Sequence, residues 1–243
     1  MKMLSFSSRT VKEIIRDPLN LGFGLGFPLV LLLLLSAIQA NIPVDLFKIS
    51  SLTPGITVFG LSFMTLFAAQ LIAKDRESAL LQRLYTTPLS SADFIFGYIL
   101  PVLPIALAQG VICYIVAIFL GLEANIGIIY ALLFQLPVAA FFVGLGLLCG
   151  SALNSKQVGG LCGALLTNLC AWLSGTWFDL DLIGGIFKEI AYFLPFVHAV
   201  EMERAVLQGD FGGALPHLWW VLGYAIVIII GAVVAFLRQM RRQ

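Results

Sequence analysis

Residues 94–120 read FIFGYILPVLPIALAQGVICYIVAIFL, inside a run that carries no charge from Asp93 to Glu123. An α-helix needs about 20 apolar residues to cross roughly 30 Å of hydrocarbon, and this run exceeds that length. The uncharged intervals Asp17 to Asp45, Lys48 to Lys74, Glu123 to Lys156, Lys156 to Asp179 and Asp210 to Arg238 pass the same test. A chain of 243 residues that is 60% hydrophobic and 11% charged cannot hide so much apolar surface in one water-soluble core. The runs are continuous and lack a two-residue alternation, so they read as helices rather than barrel strands. The expected fold is an all-α polytopic membrane protein, one transmembrane domain over residues 1–243. Its six spans are placed at about 19–39, 52–73, 94–120, 126–150, 158–177 and 218–237.

An even number of spans puts both termini on one side, and the basic residues choose the side. Lys2, Arg9, Lys12, Arg16, Lys74, Arg76, Arg83, Lys156, Arg238, Arg241 and Arg242 fall on the side of the termini, leaving Lys48, Lys188 and Arg204 on the other. Both termini are therefore expected in the cytoplasm, in a plasma (inner) membrane. The first apolar run is itself span length behind a long basic leader, so it reads as a retained helix rather than a cleaved signal. Cys113, Cys149, Cys162 and Cys170 all lie within spans and form no CxxC, which argues against both disulfides and zinc.

Residues 4–16 fit a helix lying on the membrane surface. At 100° per residue Leu4, Val11 and Ile15 share a face with Ile14 beside it, and Arg9, Lys12, Glu13 and Arg16 take the other side. Phe6 falls away from the apolar stripe. Asp17-Pro18 should end the helix, because the residue before proline is pushed out of the α region. After the second span, residues 74–84 read KDRESALLQRL, a short helix leaving the membrane. It presents Leu80, Leu81 and Leu84 on one face, and Glu77 stands within i,i−3 reach of Lys74. Thr86-Thr87-Pro88 breaks it, and Ser90 to Asp93 opens the third span with a capping-box-like sequence. Leucines exposed beside paired charges favour a docking surface over a plain solvated hairpin.

Between spans five and six, residues 178–217 are too long for a turn. Pro195 separates two apolar pieces too short to span, and Glu201 can pair with Arg204 at i,i+3. Such pieces suit helices that dip partway into the outer leaflet. Gln70, Gln109, Gln135 and Asn168 are polar groups within spans, able to line a path or to hydrogen-bond helix to helix. No carboxylate pair stands inside a span to couple protons. A serine–histidine protease is disfavoured because Trp172 and Thr176 stand where the Gly-x-Ser-x-Gly motif around Ser174 needs glycine. There is no GxxxxGK[ST], so the chain carries no recognisable site for ATP. No cofactor, metal or nucleic acid is expected on it.

The ordered set Leu52-Thr53-Pro54-Gly55, Lys74-Asp75-Arg76-Glu77, Leu81-Gln82-Arg83-Leu84 and Thr87-Pro88-Leu89-Ser90, followed by Leu194 to Glu201 and Arg204-Ala205, resembles the permease subunits of type-2 ATP-binding-cassette (ABC) transporters. Gln82 departs from the glutamate common at that place. The resemblance covers nearly the whole chain in span number, spacing and loop order. It implies a permease domain whose N-terminal interfacial helix (Arg9, Lys12, Glu13, Arg16) and second loop contact a separate ATPase subunit, present in two copies and using ATP and Mg. Arg76, Glu77, Leu80, Arg83 and Leu84 would be the coupling residues. Pro195, Glu201 and Arg204 would belong to re-entrant helices that shape an outer exit. It also implies a second permease copy, a homodimer being expected, set among membrane lipids. Export of an amphipathic or lipophilic substrate such as a drug, lipid or hydrophobic peptide follows as the expected function. An ATPase-independent carrier or channel, or a membrane assembly protein without transport, are the alternatives.

Overall fold

The computed structural model describes residues 2–78 and 91–240, and the described residues are helical throughout apart from turns and short connections. The elements are α1 (Lys2–Ile15), α2 (Pro18–Leu21), α3 (Phe27–Gln39), α4 (Ile49–Glu77), α5 (Ser91–Phe119), α6 (Gly127–Ala152), α7 (Ser155–Val158), α8 (Thr167–Leu173), α9 (Leu180–Ile183), α10 (Gly185–Phe193), α11 (Pro195–Leu207) and α12 (Phe211–Met240). π-Helical turns at Gly22–Gly26 and Gly159–Leu166 join α2 to α3 and α7 to α8.

Among the described residues, five helical stretches are long and apolar enough to cross a membrane: Gly22–Gln39, Ile49–Glu77, Asp93–Phe119, Gly127–Ala152 and Phe211–Arg238. These match the expected spans one, two, three, four and six. The region expected as span five is helical over 155–173 but is divided by the π-helical turn, where glycines at 159, 160 and 163 weaken the regular i→i−4 ladder.

Helix α4 is the centre of the bundle, with 89% of its apolar window buried, while the stretch Gly22–Gln39 buries only 17% of its own. Helix α4 packs on α6, α5 and the 155–173 region; α12 lies along α6; and α11 fills the space between α4, α6 and α12. Glycine sets the closest of these approaches. A Cβ at Gly146 would stand 2.5 Å from the Thr65 carbonyl oxygen, and one at Gly150 would stand 2.6 Å from that of Ala69. Only hydrogen fits there, so α4 and α6 meet backbone to backbone.

Helix α1 packs on α5 through a face other than the expected one. Phe6, Thr10 and Ile14 are buried, whereas Val11 and Ile15 are exposed; the side chain of Leu4 lies outside the described residues. The Phe6 ring meets Phe94 and Tyr98 edge-on at 5.6 and 5.0 Å. It occupies the space that a side chain at position 97 would fill, and Gly97 leaves that space open. The helix stops at Ile15 and the chain restarts at Pro18, as the Asp17-Pro18 step requires. Downstream, Leu194 is extended between α10 and α11, and Pro195 opens α11 at its first position.

Candidate functional site

The basic end of the bundle gathers α1, the last turn of α4, the first turns of α5 and the junction of α6 with α7. Asp75, only 2% exposed, is held from two sides. The Arg9 guanidinium donates to both of its carboxylate oxygens at 2.6 and 2.8 Å, and the Tyr98 hydroxyl donates to Oδ2 at 2.7 Å. Arg9 also donates to Glu13 at 2.8 Å, one turn along α1. The bidentate fork matches carboxylate geometry and supplies both charge and direction. Its hydrogen bond to Asp75 raises the affinity of the Arg9 guanidinium for its proton, and burial raises the Glu13 carboxyl above its ordinary range. Helices 66 residues apart in sequence are thereby joined.

Around that joint the neighbouring charges are also committed. Arg76 donates to the carbonyls of Gly150 and Leu153 at 2.8 and 3.1 Å, covering the C-terminal end of α6 where carbonyls lack intrahelical partners. Glu77 accepts from the Ser155 amide at 2.7 Å and from its hydroxyl at 2.8 Å, so it faces α7. The expected Glu77–Lys74 contact is therefore not made, and Lys74 reaches Asp17 instead, at 3.3 Å. In both cases the partner lies outside α4. Lys12 and Arg16 are exposed at the rim of a cavity of about 670 Å³ that Ser5, Arg9, Glu13 and Lys74 also line. Leu80, Arg83 and Leu84, and the capping sequence from Ser90, lie outside the described residues.

The mid-bundle polar groups mostly bond between helices. Gln135 donates to the Ala106 carbonyl at 3.2 Å, and Gln70 to that of Ser155 at 3.2 Å; Gln109 and Gln135 are both buried where α5 meets α6. Asn168 differs. Its amide bonds its own helix at Ala164, and it lines an open groove of about 420 Å³ with Phe23, Phe27, Phe59, Trp172 and Trp177.

At the far end Arg204 makes the expected i,i+3 pair with Glu201 at 2.8 Å. It also donates to the Ser51 carbonyl at the start of α4 (3.1 Å) and to the Gly175 carbonyl after α8 (3.0 Å). One residue earlier stands a group that the sequence reading did not single out. Glu203 is fully buried, and its Oε2 lies 2.6 Å from the Thr57 hydroxyl of α4. Burial pushes its carboxyl up to about 8. The signal was available: Phe196, Val200, Glu203 and Leu207 recur at helical spacing, which sets Glu203 on the apolar face of α11. Asp75 is signalled in the same way by following Ala68, Leu71 and Ile72 on α4.

The family model for the ABC-2 type transporter matches residues 2–207. The chain belongs to that family. In that family the ABC-2 membrane domain is the permease part of ABC transporters and normally works with an ATPase subunit. The chain is 28% identical over 149 residues to the capsule polysaccharide export inner-membrane protein CtrC of Neisseria meningitidis serogroup A, covering 60% of this chain and 56% of that protein. The serogroup B protein of the same name is 29% identical over 133 residues, 54% of this chain and 50% of that one. ABC transporter G family member 20 of Dictyostelium discoideum is 24% identical over 169 residues, covering 67% of this chain but 23% of that protein. The ABC-2 chain thus spans about half the length of the capsule-export relatives it matches. Several apolar helices and inner-membrane relatives agree on a multi-pass membrane protein.

Proposed function

We propose that this ABC-2 chain is the membrane-spanning half of an exporter whose ATP is hydrolysed, with Mg, in a separate ATPase subunit. In this reading the 155–173 region completes a set of six spans, both termini are cytoplasmic, and α10 and α11 are re-entrant helices at the outer side. Two permease copies pair as a homodimer and two ATPase subunits close beneath them. The observation that carries the reading is the Arg9–Asp75 joint, which makes α1 and the root of the loop after α4 one mechanical unit. A push on residues 4–16 or 74–88 would reach α4, the most buried helix of the bundle. Val11 and Ile15, exposed on α1, would face lipid.

The cargo in this reading is amphipathic or lipophilic: a drug, a lipid or a hydrophobic peptide. The names of the capsule-export relatives support a polysaccharide as a second reading. The groove that combines Phe23, Phe27, Trp172 and Trp177 with Asn168 suits either, since ring faces take apolar chains or sugar rings and the amide takes hydroxyls. The test is a cysteine placed at Arg83 in a chain freed of its four cysteines, with the ATP-binding-cassette ATPase co-expressed. A crosslink to the ATPase that changes with ATP is the expected result. No crosslink at Arg83 or its neighbours in a well-inserted protein would sink the reading and favour an ATPase-independent carrier or an assembly role.

A further inference from the structure

Buried carboxyl groups are ordinarily paired with a cation or hydrogen-bonded at both oxygens. Glu203 has neither arrangement. Its Oε1 and the phenol oxygen of its neighbour Tyr114 are buried without a partner of hydrogen-bond geometry among the described residues, and Tyr114 stands close enough to oppose, without overcoming, the effect of burial on the carboxyl. The titratable groups that face it are Tyr114 and Cys113 of α5. Arg204, next in the chain, is spent on Glu201, Ser51 and Gly175, and His217 of α12 meets His198 at the start of α11.

The hydroxyl of Thr57 decides the protonation state. Its oxygen lies 2.7 Å from the Pro54 carbonyl oxygen and 2.6 Å from Glu203 Oε2, both hydrogen-bond distances. A hydroxyl has one hydrogen and two lone pairs, while a carbonyl can only accept. If the carboxyl were ionised, two acceptors would compete for the single Thr57 hydrogen, and the buried anion would have only the Tyr114 hydroxyl nearby, which makes no bond of hydrogen-bond geometry to Oε1. If the carboxyl is protonated, Glu203 donates to Thr57 and Thr57 donates to Pro54, so each short contact holds one hydrogen. The neutral acid is the form that this geometry accommodates.

We propose that Glu203 is a proton-binding site, and that its acid form is a latch holding α11 on α4. Movement of α11 away from α4 would admit water to the carboxyl, favour the anion and release the proton. Return of α11 would require the proton back, because the anion cannot be reburied without a counter-charge. The bundle thereby gains a proton-linked step at the end opposite the Arg9–Asp75 joint. This step goes beyond the exporter reading and does not depend on it.

The full chain in phosphatidylcholine vesicles tests it by infrared difference spectroscopy. The wild type should show a carboxylic-acid C=O band at pH 7 that bleaches as the pH rises through about 8, and Glu203→Gln should lack it. Glutamine has the shape of the neutral acid and can donate to Thr57 in the same way, so Glu203→Gln should insert and fold. Amide exchange over residues 195–207, corrected for its chemical rate, should quicken above that pH in the wild type and stay level in Glu203→Gln. A wild type without an acid band at pH 7 would overturn the proton site. Equal exchange profiles in the two proteins would overturn the latch. Both measurements need neither ATPase nor cargo, so their failure is distinct from failure of the exporter reading.

Discussion

Asp75 and Glu203 are both carboxyl groups that the bundle shuts away from water, and they are treated in opposite ways. Asp75 receives a two-pronged arginine and a tyrosine hydroxyl. Among the described residues, Glu203 meets one threonine hydroxyl and no cation. The first arrangement keeps the charge and fixes two helices against each other. The second removes the charge by holding a proton, which can leave when the surroundings change. A buried carboxylate with its own arginine is a joint, and one without a cation is a switch.

Removing one partner of the joint is the strongest way to break the comparison. Arg9→Met would strand the Asp75 charge, and breaking a buried pair costs about 3–5 kcal/mol when both groups are enclosed. Arg9 is 36% exposed, so a loss of about 2–4 kcal/mol is expected in the thermal unfolding of the purified chain. Adding Asp75→Leu should recover much of it, since no charge is then left stranded. If Arg9→Met alone is harmless, Asp75 is not held by its charge and the contrast with Glu203 fails.

Next in size is Gly97→Val, which takes the space of the Phe6 ring. Overpacking of this kind costs about 1–3 kcal/mol. It should lift α1 from α5 and make a cysteine at Thr10, buried in the wild type, reactive to maleimide. An unreactive Thr10→Cys in the Gly97→Val protein would mean that the Arg9–Asp75 pair holds α1 without the aromatic contact. That result would sharpen the case for the joint.

Glu203→Gln comes third, with a change within about 1 kcal/mol near pH 4, where the wild-type carboxyl is largely protonated in both states and glutamine imitates the neutral acid. The sign of its pH dependence follows from the two states. The folded carboxyl keeps its proton up to about 8, whereas a free one releases it near 4.5. Over that window the folded chain binds more protons, so wild-type stability relative to Glu203→Gln should fall as the pH rises and level off above about 8. Parallel pH profiles would place Glu203 with the ordinary carboxylates.

The long helices were legible because length and apolar composition depend on the local chain alone. So was the Glu201–Arg204 pair, whose partners sit one turn apart in α11. The placement of the two carboxyls was legible from helical spacing, but their partners were not. Ala68, Leu71 and Ile72 set Asp75 on the apolar face of α4, whereas Arg9 and Tyr98 reach it from other helices. Phe6 was misread for a related reason: its pocket is made by Gly97, which no periodicity within α1 reveals. Contacts such as Glu77 with Ser155, made 78 residues apart, likewise follow from how α4 and α6 pack rather than from either segment.

Glu77→Ala has the smallest expected effect on folding and tests what the joint is for. Glu77 is exposed and its two bonds to Ser155 are open to water, so their loss should leave the unfolding midpoint close to that of the wild type. Yet those bonds tie the last turn of α4 to the start of α7, beside the residues that would meet an ATPase. In the exporter reading, the ATP-dependent part of the Arg83 crosslink should therefore weaken in Glu77→Ala while membrane insertion is unchanged. A crosslink that responds to ATP as in the wild type would confine the coupling path to Arg9 and Asp75, and Glu77 would then be a tether for α7 alone.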